Sequence, residues 1–199
     1  MKSRAAPYLF FATWNLLSYA SLASALVAIG CLAGIVPRHG AAAIALLASF
    51  VCDLFDGKFA KSFPRSEDEK RFGEQIDSLV DVVAFGFVPA SLVYFLFPDP
   101  APWLVATALF YALSVLTRLA FYNVFSASTD FFTGLPCPMG QYVWAAILLW
   151  PPSPPVLAAL YVGLAIAMVS PLRIPRPGLG GLAGLTLGAI ALGVVAYLR

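Results

Sequence analysis

Charged side chains are scarce in this sequence, with 12 lysines and arginines and 10 aspartates and glutamates among 199 residues. They make up 11% of the chain, whereas soluble globular domains carry about 25% charged residues to cover a surface that faces water. The scarcity excludes a water-soluble domain. The formal net charge of +2 also lacks the basic excess of a nucleic-acid-binding protein. Because 61% of the residues are hydrophobic, the sequence indicates an integral membrane protein.

Cysteine and histidine are equally rare. The three cysteines, Cys31, Cys52 and Cys137, lie far apart in apolar surroundings, which excludes a disulfide framework and a cysteine metal site. We interpret them as small buried hydrophobic residues. The single histidine, His39, stands beside Arg38 in a predicted turn and is interpreted as a solvated loop residue rather than a metal ligand.

Apolar runs of membrane-spanning length recur along the chain and predict an all-α polytopic bundle of about seven transmembrane helices, with a range of about six to eight. The absence of repeats and linkers predicts one domain over residues 1–199. An interfacial segment over residues 5–14 is expected before the first helix. The predicted helices cover residues 15–36, 41–60, 73–96, 102–123, 138–150, 155–170 and 179–198. The fifth is short for a crossing, which takes ~20 residues.

One strongly charged segment, residues 61–72, separates the second and third predicted helices. Pro64 disfavours a continuous helix across it, because proline lacks the backbone N–H that a helix interior uses. The sequence therefore predicts a loop. Its acidic residues Glu67, Asp68 and Glu69 are interpreted as a solvated face of that loop.

The basic residues predict an orientation. With a cytosolic N-terminus, ten of them fall at or near the cytosolic face and only Arg38 and Arg199 fall outside, a clear positive-inside bias. The ten are Lys2, Arg4, Lys58, Lys61, Arg65, Lys70, Arg71, Arg118, Arg173 and Arg176. The predicted ends of the second and third helices that meet at the charged loop therefore face the cytosol.

Eight of the ten acidic residues lie within residues 53–81, and four of these are aspartates in helix-like apolar sequence. A carboxylate at membrane depth is costly and points to function. Asp53 and Asp56 share one helix face, and Asp77 and Asp81 share a face of the next helix. Two antiparallel helices would place the pairs opposite each other. Four such carboxylates need cations to stay ionised, and Mg²⁺ or Mn²⁺ suits oxygen ligands.

Small residues flank these aspartates. Gly57 follows Asp56, Ala60 lies about one turn further on, and Gly73 lies about one turn before Asp77. Small residues also allow helices to pack closely in membranes. Their position around the carboxylates favours a second interpretation, in which a large or flat ligand approaches the backbone. A pair of divalent cations beside such a ligand is typical of sites that displace phosphoryl groups.

The pattern D-x2-D-G-x2-A, a spacer and G-x3-D-x3-D resembles the signature of the CDP-alcohol phosphotransferase family. The resemblance implies that two divalent cations, Mg²⁺ or Mn²⁺, are held by the four aspartates, and that Asp81 is also the general base on the attacking hydroxyl. It further implies that CMP leaves, that the small residues make room for the cytidine nucleotide, and that the protein is a homodimer. Lys61 stands where the family usually has arginine, so a bidentate contact becomes a point charge. The matching positions are Asp53, Asp56, Gly57, Ala60, Gly73, Asp77 and Asp81.

Four further segments are similar to the phosphatidylserine synthase branch of that family, and they lie at residues 76–90, 118–123, 131–138 and 168–177. The similarity implies an enzyme of a prokaryotic cell membrane that uses CDP-diacylglycerol and L-serine and gives phosphatidylserine and CMP. Within the family, glycerol phosphate, inositol phosphate or another alcohol as acceptor, and an archaeal ether lipid as donor, stay open. A cation transporter is an alternative from another class, but the crowding of all four aspartates at one end disfavours it.

Three more residues are candidate substrate contacts. Arg118 and Arg173 lie near predicted cytosolic helix ends, where arginine commonly snorkels to the interface; the functional alternative is an anion contact to a lipid phosphate or to the serine carboxylate. Asn15 is a candidate contact to the nucleotide or a helix-end residue.

Overall fold

The computed structural model describes residues 11–34, 37–126 and 131–199. It confirms an all-α fold with the seven expected helical segments. The segments are α1 (Leu16–Leu32), α2 (His39–Lys61), α3 (Glu67–Asp81) running through a π-helical turn (Val82–Phe87) into α4 (Val88–Leu96), α5 (Pro102–Phe121), α6 (Gly140–Leu149), α7 (Pro154–Met168) and α8 (Leu179–Leu198). A 3₁₀ turn, Thr13–Asn15, precedes α1, and a π-helical segment, Tyr122–Ser126, extends α5.

Within the described residues, five helices are long and apolar enough to cross a membrane, and the protein is therefore an integral membrane protein. They are Thr13–Leu32, His39–Lys61, Glu67–Leu96, Pro102–Phe125 and Leu179–Leu198. Two apolar helices, Cys137–Leu149 and Pro154–Met168, are shorter. At ~1.5 Å per residue, the first of these reaches about 20 Å, less than the ~30 Å hydrocarbon core, as expected for the short fifth helix. Most of the predicted interfacial segment, and the predicted end of the first helix at residues 35–36, lie outside the described residues.

The predicted loop over residues 61–72 is wrong at its second end, because α3 begins at Glu67, whereas α2 ends at Lys61, within one residue of the prediction. The backbone N–H of Ser66 donates to Glu69 Oε2 at 2.7 Å, and the backbone N–H of Glu69 donates to Ser66 Oγ at 3.3 Å. This capping box satisfies two helix-end donors. Glu67, Asp68 and Glu69 thus form the first turn of α3, where negative charge interacts favourably with the helix dipole.

The bundle packs around α2, which contacts α1, α6 and α8. Both α1 and α2 bury small residues, such as Ala25 and Ala43, and small residues let membrane helices approach closely. Between the two helices, Ser21 Oγ and Ser49 Oγ are hydrogen-bonded at 2.9 Å. At the far end of α2, a Cβ on Gly40 would lie 2.5 Å from the carbonyl oxygen of Ala196 in α8, so glycine is needed for that contact.

Two short strands, β1 (Phe131–Thr133) and β2 (Arg173–Pro175), pair antiparallel with Phe132 opposite Ile174. They join the connection before α6 to the connection before α8, and the sequence did not predict them. Gly134 follows β1 with φ of +74°, and a Cβ there would lie 2.0 Å from the carbonyl oxygen of Met168. Only glycine fits this close turn, which leads the chain back into the bundle at Cys137.

Candidate active site

Three of the four aspartates, two from α2 and one from α3, bring their carboxylates together. Carboxylate oxygens of Asp53, Asp56 and Asp77 all lie within 4.8 Å of one another. Because the helices are antiparallel, Asp56 pairs with Asp77, and Asp53 pairs with Asp81. The structure thus brings the two predicted pairs face to face.

Asp81 lies deeper than the other three and is not a member of the cluster of three carboxylates. Its side chain is 7% exposed, and its Oδ2 accepts a hydrogen bond from the Cys137 thiol at 3.8 Å. Among the described residues, Oδ1 of Asp81 and Oδ1 of Asp77 are buried without a hydrogen-bond partner. Buried carboxylate oxygens of this kind are costly unless a cation or donor satisfies them, so the residues present fit bound divalent cations.

Helix α1 supplies a polar edge to this cluster. Ser18 Oγ donates to Asp56 Oδ2 at 3.1 Å and so fixes the orientation of that carboxylate. Asn15, one turn earlier, is 2% exposed, and its Nδ2 has no hydrogen-bond partner in the described part of the chain. Sequence reasoning identified Asn15 but missed Ser18. Asn15, Ser18, Ser21 and Ser24 recur at three-residue spacing in largely apolar sequence, and this pattern predicts a polar face.

A cavity of about 330 Å³ opens beside Asp56 and Asp77, and we call it the first cavity. Five of the predicted substrate contacts line it. No described atom lies within 4 Å of where a Gly57 Cβ would be, whereas a Cβ on Gly73 would lie 3.1 Å from Asn15 Oδ1. The backbone is therefore open to a ligand at Gly57, and Gly73 makes room for Asn15. The lining is Trp14, Asn15, Ser18, Asp56, Gly57, Ala60, Lys61, Arg65, Gly73, Glu74, Gln75, Asp77, Ser78, Tyr122 and Asn123.

Arg65 also lines the first cavity, and sequence reasoning did not single it out. It lies in the loop between α2 and α3, and its Nη1 would be 3.5 Å from a Cβ on Gly73. Its Nε is buried without a hydrogen-bond partner among the described residues. Lys61 provides only a point charge on the rim of the first cavity. Arg65 provides the planar donor group that suits phosphate oxygens.

Arg118 is buried behind Asp81, at 6% exposure, and therefore does not snorkel to water. Its Nη1 donates to Cys137 Sγ at 3.7 Å, and the thiol in turn donates to Asp81. Cys137 is buried, as predicted, but it also links the arginine to the aspartate. Arg118 borders a second cavity of about 300 Å³, whose other lining residues are Thr117, Phe121, Thr133, Met168, Val169, Ser170 and Pro171.

Arg173 lies apart from the aspartates. It is exposed on β2, its guanidinium stands 5.1 Å from the centre of the Phe131 ring, and it lines neither of the two cavities. Arg176 instead packs on Phe132 and donates from Nη2 to the Tyr122 hydroxyl at 3.1 Å. The structure thus brings Arg118 to the site and leaves Arg173 on the surface of the β1–β2 pair.

Comparison with known proteins gives one family and several relatives. A sequence profile described as CDP-alcohol phosphatidyltransferase matches residues 11–171. The chain is 31% identical over 168 residues to a protein of Methanothermobacter thermautotrophicus named archaetidylserine synthase, covering 84% of this chain and 71% of that one. It is 30% identical over 125 residues to the CDP-diacylglycerol–serine O-phosphatidyltransferase of Bacillus subtilis, covering 62% and 68%.

Mycobacterial relatives match over a smaller share of their length. The chain is 36% identical over 117 residues to the CDP-diacylglycerol–serine O-phosphatidyltransferase of Mycobacterium tuberculosis, and the match covers 54% of this chain and 39% of that protein. The matched region thus spans less than half of the mycobacterial protein.

Proposed function

The chain belongs to the CDP-alcohol phosphatidyltransferase family, and we propose that it transfers the phosphatidyl group of CDP-diacylglycerol to the hydroxyl of L-serine. The products are phosphatidylserine and CMP. The observation that carries the proposal is the cluster of aspartates, in which carboxylate oxygens of three lie within 4.8 Å of one another. The cluster opens onto the first cavity, where the backbone at Gly57 is not covered by any side chain of the described residues. Relatives named as serine transferases support the choice of acceptor.

Two divalent cations, Mg²⁺ or Mn²⁺, fit the donor set. Asp53, Asp56 and Asp77 would hold one, and Asp81 would share in a second through its unpartnered Oδ1. Such cations, when bound, neutralise a diphosphate and make its phosphorus more electrophilic. Ser18 contributes by holding Asp56 in one orientation through its hydrogen bond.

Asp81 is the proposed general base. Its buried carboxylate takes the proton from the serine hydroxyl while the serine oxygen forms a bond to the phosphorus of the phosphatidyl group. The bond from that phosphorus to the CMP oxygen breaks, and CMP leaves with the electron pair. A serine hydroxyl is a weak nucleophile, so a positioned base is required.

The first cavity is the proposed nucleotide site. Lys61 and Arg65 on its rim would contact the CMP phosphate, and the buried Asn15 Nδ2 would donate a hydrogen bond to the nucleotide. The open backbone at Gly57 and the small side chain of Ala60 leave room for the cytidine.

The second cavity is the proposed acceptor site. Arg118 borders it and is linked through Cys137 to Asp81. Its guanidinium would bind the serine carboxylate, which places the hydroxyl toward Asp81. Arg173, on the exposed β1–β2 pair, is the proposed contact to a lipid phosphate.

We further propose that the protein lies in a prokaryotic cell membrane as a homodimer, with its N-terminus and active site toward the cytosol. CDP-diacylglycerol then enters from the bilayer, while serine and CMP exchange with water. Labelling a Glu67→Cys variant with an impermeant maleimide tests the orientation, because only inverted vesicles should react. Mass photometry in detergent tests the dimer, and a single-chain mass would contradict it.

A panel of acceptor alcohols tests the function. Purified protein with Mn²⁺ or Mg²⁺ and CDP-diacylglycerol should release CMP when serine is added, and should not do so with glycerol phosphate or inositol phosphate. Release with one of those and none with serine would overturn the acceptor assignment.

A CDP-linked ether lipid is a second candidate donor. It is favoured by the match to the archaetidylserine synthase, which covers 84% of this chain. The panel is therefore run with CDP-archaeol as well. A preference for CDP-archaeol over CDP-diacylglycerol would replace the acyl donor and keep the serine acceptor.

A further inference from the structure

The helix that carries Asp77 and Asp81 is irregular just beyond the second aspartate. Residues Val82–Phe87 form a π-helical turn, in which the backbone N–H of Val88 donates to the carbonyl of Val83 rather than to that of Ala84. Pro89 has no N–H to offer Phe85, its partner four residues earlier, and a proline ring also crowds that carbonyl. Two successive carbonyls, those of Ala84 and Phe85, thus lose their usual helical donors.

Side chains from two neighbouring helices occupy both carbonyls. Gln141 Nε2 donates to the Ala84 carbonyl at 3.0 Å, and the Tyr111 hydroxyl donates to the Phe85 carbonyl at 2.8 Å. Trp144 Nε1 donates to the same tyrosine oxygen at 3.0 Å. Gln141, Tyr111 and Trp144 are each 0% exposed, so these contacts lie in a water-free interior where an unpaired carbonyl is costly.

Residues next to these contacts leave room for them or add to them. Gly140 precedes Gln141, and a Cβ at Gly140 would lie 3.0 Å from Trp144 Nε1 and 3.1 Å from the Tyr111 hydroxyl. One turn further along the membrane helix, the Tyr161 hydroxyl donates to the Pro89 carbonyl at 2.7 Å. Helices α5, α6 and α7 therefore each contribute a polar side chain to the short stretch from Ala84 to Pro89.

A π turn adds about one residue to a helix. If this one closed into regular α-helix, the part before it would rotate by about 100° and shift by about 1.5 Å relative to the part after it. Because α4 is held by its buried face in the core, the rotation would fall on α3 and carry Asp77 and Asp81 away from Asp53 and Asp56. The open turn thus sets the direction in which the two carboxylates point.

We propose that Gln141 and Tyr111 are positioning residues: by occupying the carbonyls that Pro89 and the π turn free, they hold Asp77 and Asp81 toward α2 for metal binding. The role of these residues in metal binding rests on the proposed function. Their hydrogen bonds to the carbonyls of the π turn do not depend on it. Partners that orient metal ligands typically change metal affinity by ~10- to 100-fold when they are removed.

The test compares Tyr111→Phe and Gln141→Leu with the matched control Tyr142→Phe, whose hydroxyl donates to the Leu185 carbonyl of α8, away from the π turn. Mn²⁺ binding to the substrate-free protein is measured by electron paramagnetic resonance, and thermal unfolding is recorded alongside. Both test variants should bind Mn²⁺ about tenfold more weakly, and Tyr142→Phe should bind as the wild type does. If Tyr111→Phe and Gln141→Leu bind Mn²⁺ as tightly as Tyr142→Phe and the wild type do, the proposal is overturned.

Pro89→Ala separates positioning from stability. It gives the Phe85 carbonyl a donor within the helix and favours closing of the turn, so it should keep or raise the unfolding temperature while it weakens Mn²⁺ binding. Unchanged Mn²⁺ binding in this variant would also overturn the proposal, even if Tyr111→Phe failed to fold. The wild-type protein is also assayed for CMP release with every acceptor. If it releases no CMP while the variants bind Mn²⁺ more weakly, the positioning role is supported and only the proposed function is contradicted.

Discussion

At the scale of single residues, the account depends on four aspartates whose opposition follows from helical spacing alone. The contacts that refine the site do not follow from spacing. Ser18, Arg65 and Cys137 reach the aspartates or their cavity only because α1, the loop before α3 and the segment before α6 pack there. Ser18 had a sequence pattern that could have identified it, whereas nothing in the local sequence distinguishes Cys137, which is buried, from Cys31 and Cys52, which are only partly buried.

Asp81→Asn should abolish turnover, because the amide cannot take the proton of the serine hydroxyl; general-base catalysis is typically worth ~10²- to 10⁴-fold. Binding of the CDP-lipid, measured by calorimetry in detergent, should change little because Asp53, Asp56 and Asp77 remain. Asp99→Asn is the control, since Asp99 is exposed in the turn after α4. If Asp81→Asn turns over substrate as fast as the wild type does, Asp81 is not the general base.

Arg65→Gln should raise the KM for CDP-diacylglycerol about tenfold, the loss expected for one charge-assisted contact to phosphate, and leave kcat within about twofold. Arg65→Lys should recover only part of the loss, because a lysine cannot form the bidentate contact. The control is Arg71→Gln, an exposed residue of α3 outside the first cavity. If Arg65→Gln and Arg71→Gln have the same KM, Arg65 does not contact the nucleotide.

At the scale of elements, hydropathy predicts the seven helical segments but misses three local features. The S-x-x-E pattern of Ser66 and Glu69 marks the start of α3, but the charge of residues 67–72 hides that first turn from hydropathy. The π turn lies in a run that is apolar on every side, so periodicity cannot reveal it; only Pro89 gives a hint. Strands β1 and β2 are three residues each and pair across a long stretch of chain, which local propensity does not detect.

Ser66→Ala tests the capping box that begins α3. Losing an N-cap side chain typically costs ~1 kcal/mol, and the change should lower the unfolding free energy by about that amount in detergent, because the Glu69 N–H loses its acceptor. Ser153→Ala is the matched control, since Ser153 occupies the N-cap position of α7 without a side-chain capping bond. Equal stability of the two variants would show that the capping box does not stabilise α3.

At the scale of the whole molecule, the helices place a polar site at the edge of an apolar bundle. Asp56 lies about 7.5 Å from the end of α2, at ~1.5 Å per residue, and the first cavity, which Asp56 lines, connects that depth with Lys61 and Arg65 near the helix ends. A lipid diphosphate held at this depth keeps its acyl chains in the bilayer while its nucleotide lies toward water. The second cavity is bordered by Arg118, which Cys137 links to Asp81, so under the proposed function the donor and the acceptor would reach Asp81 from different directions.

The central claim is that the serine hydroxyl attacks the phosphatidyl phosphorus at this site. It is tested most directly with purified protein, Mn²⁺, CDP-diacylglycerol and serine labelled with ¹⁸O in its hydroxyl, followed by mass spectrometry of the lipid and the nucleotide. The phosphatidylserine should carry the label and the CMP should not. Label in CMP, or phosphatidic acid with no serine-containing lipid, would contradict the central claim.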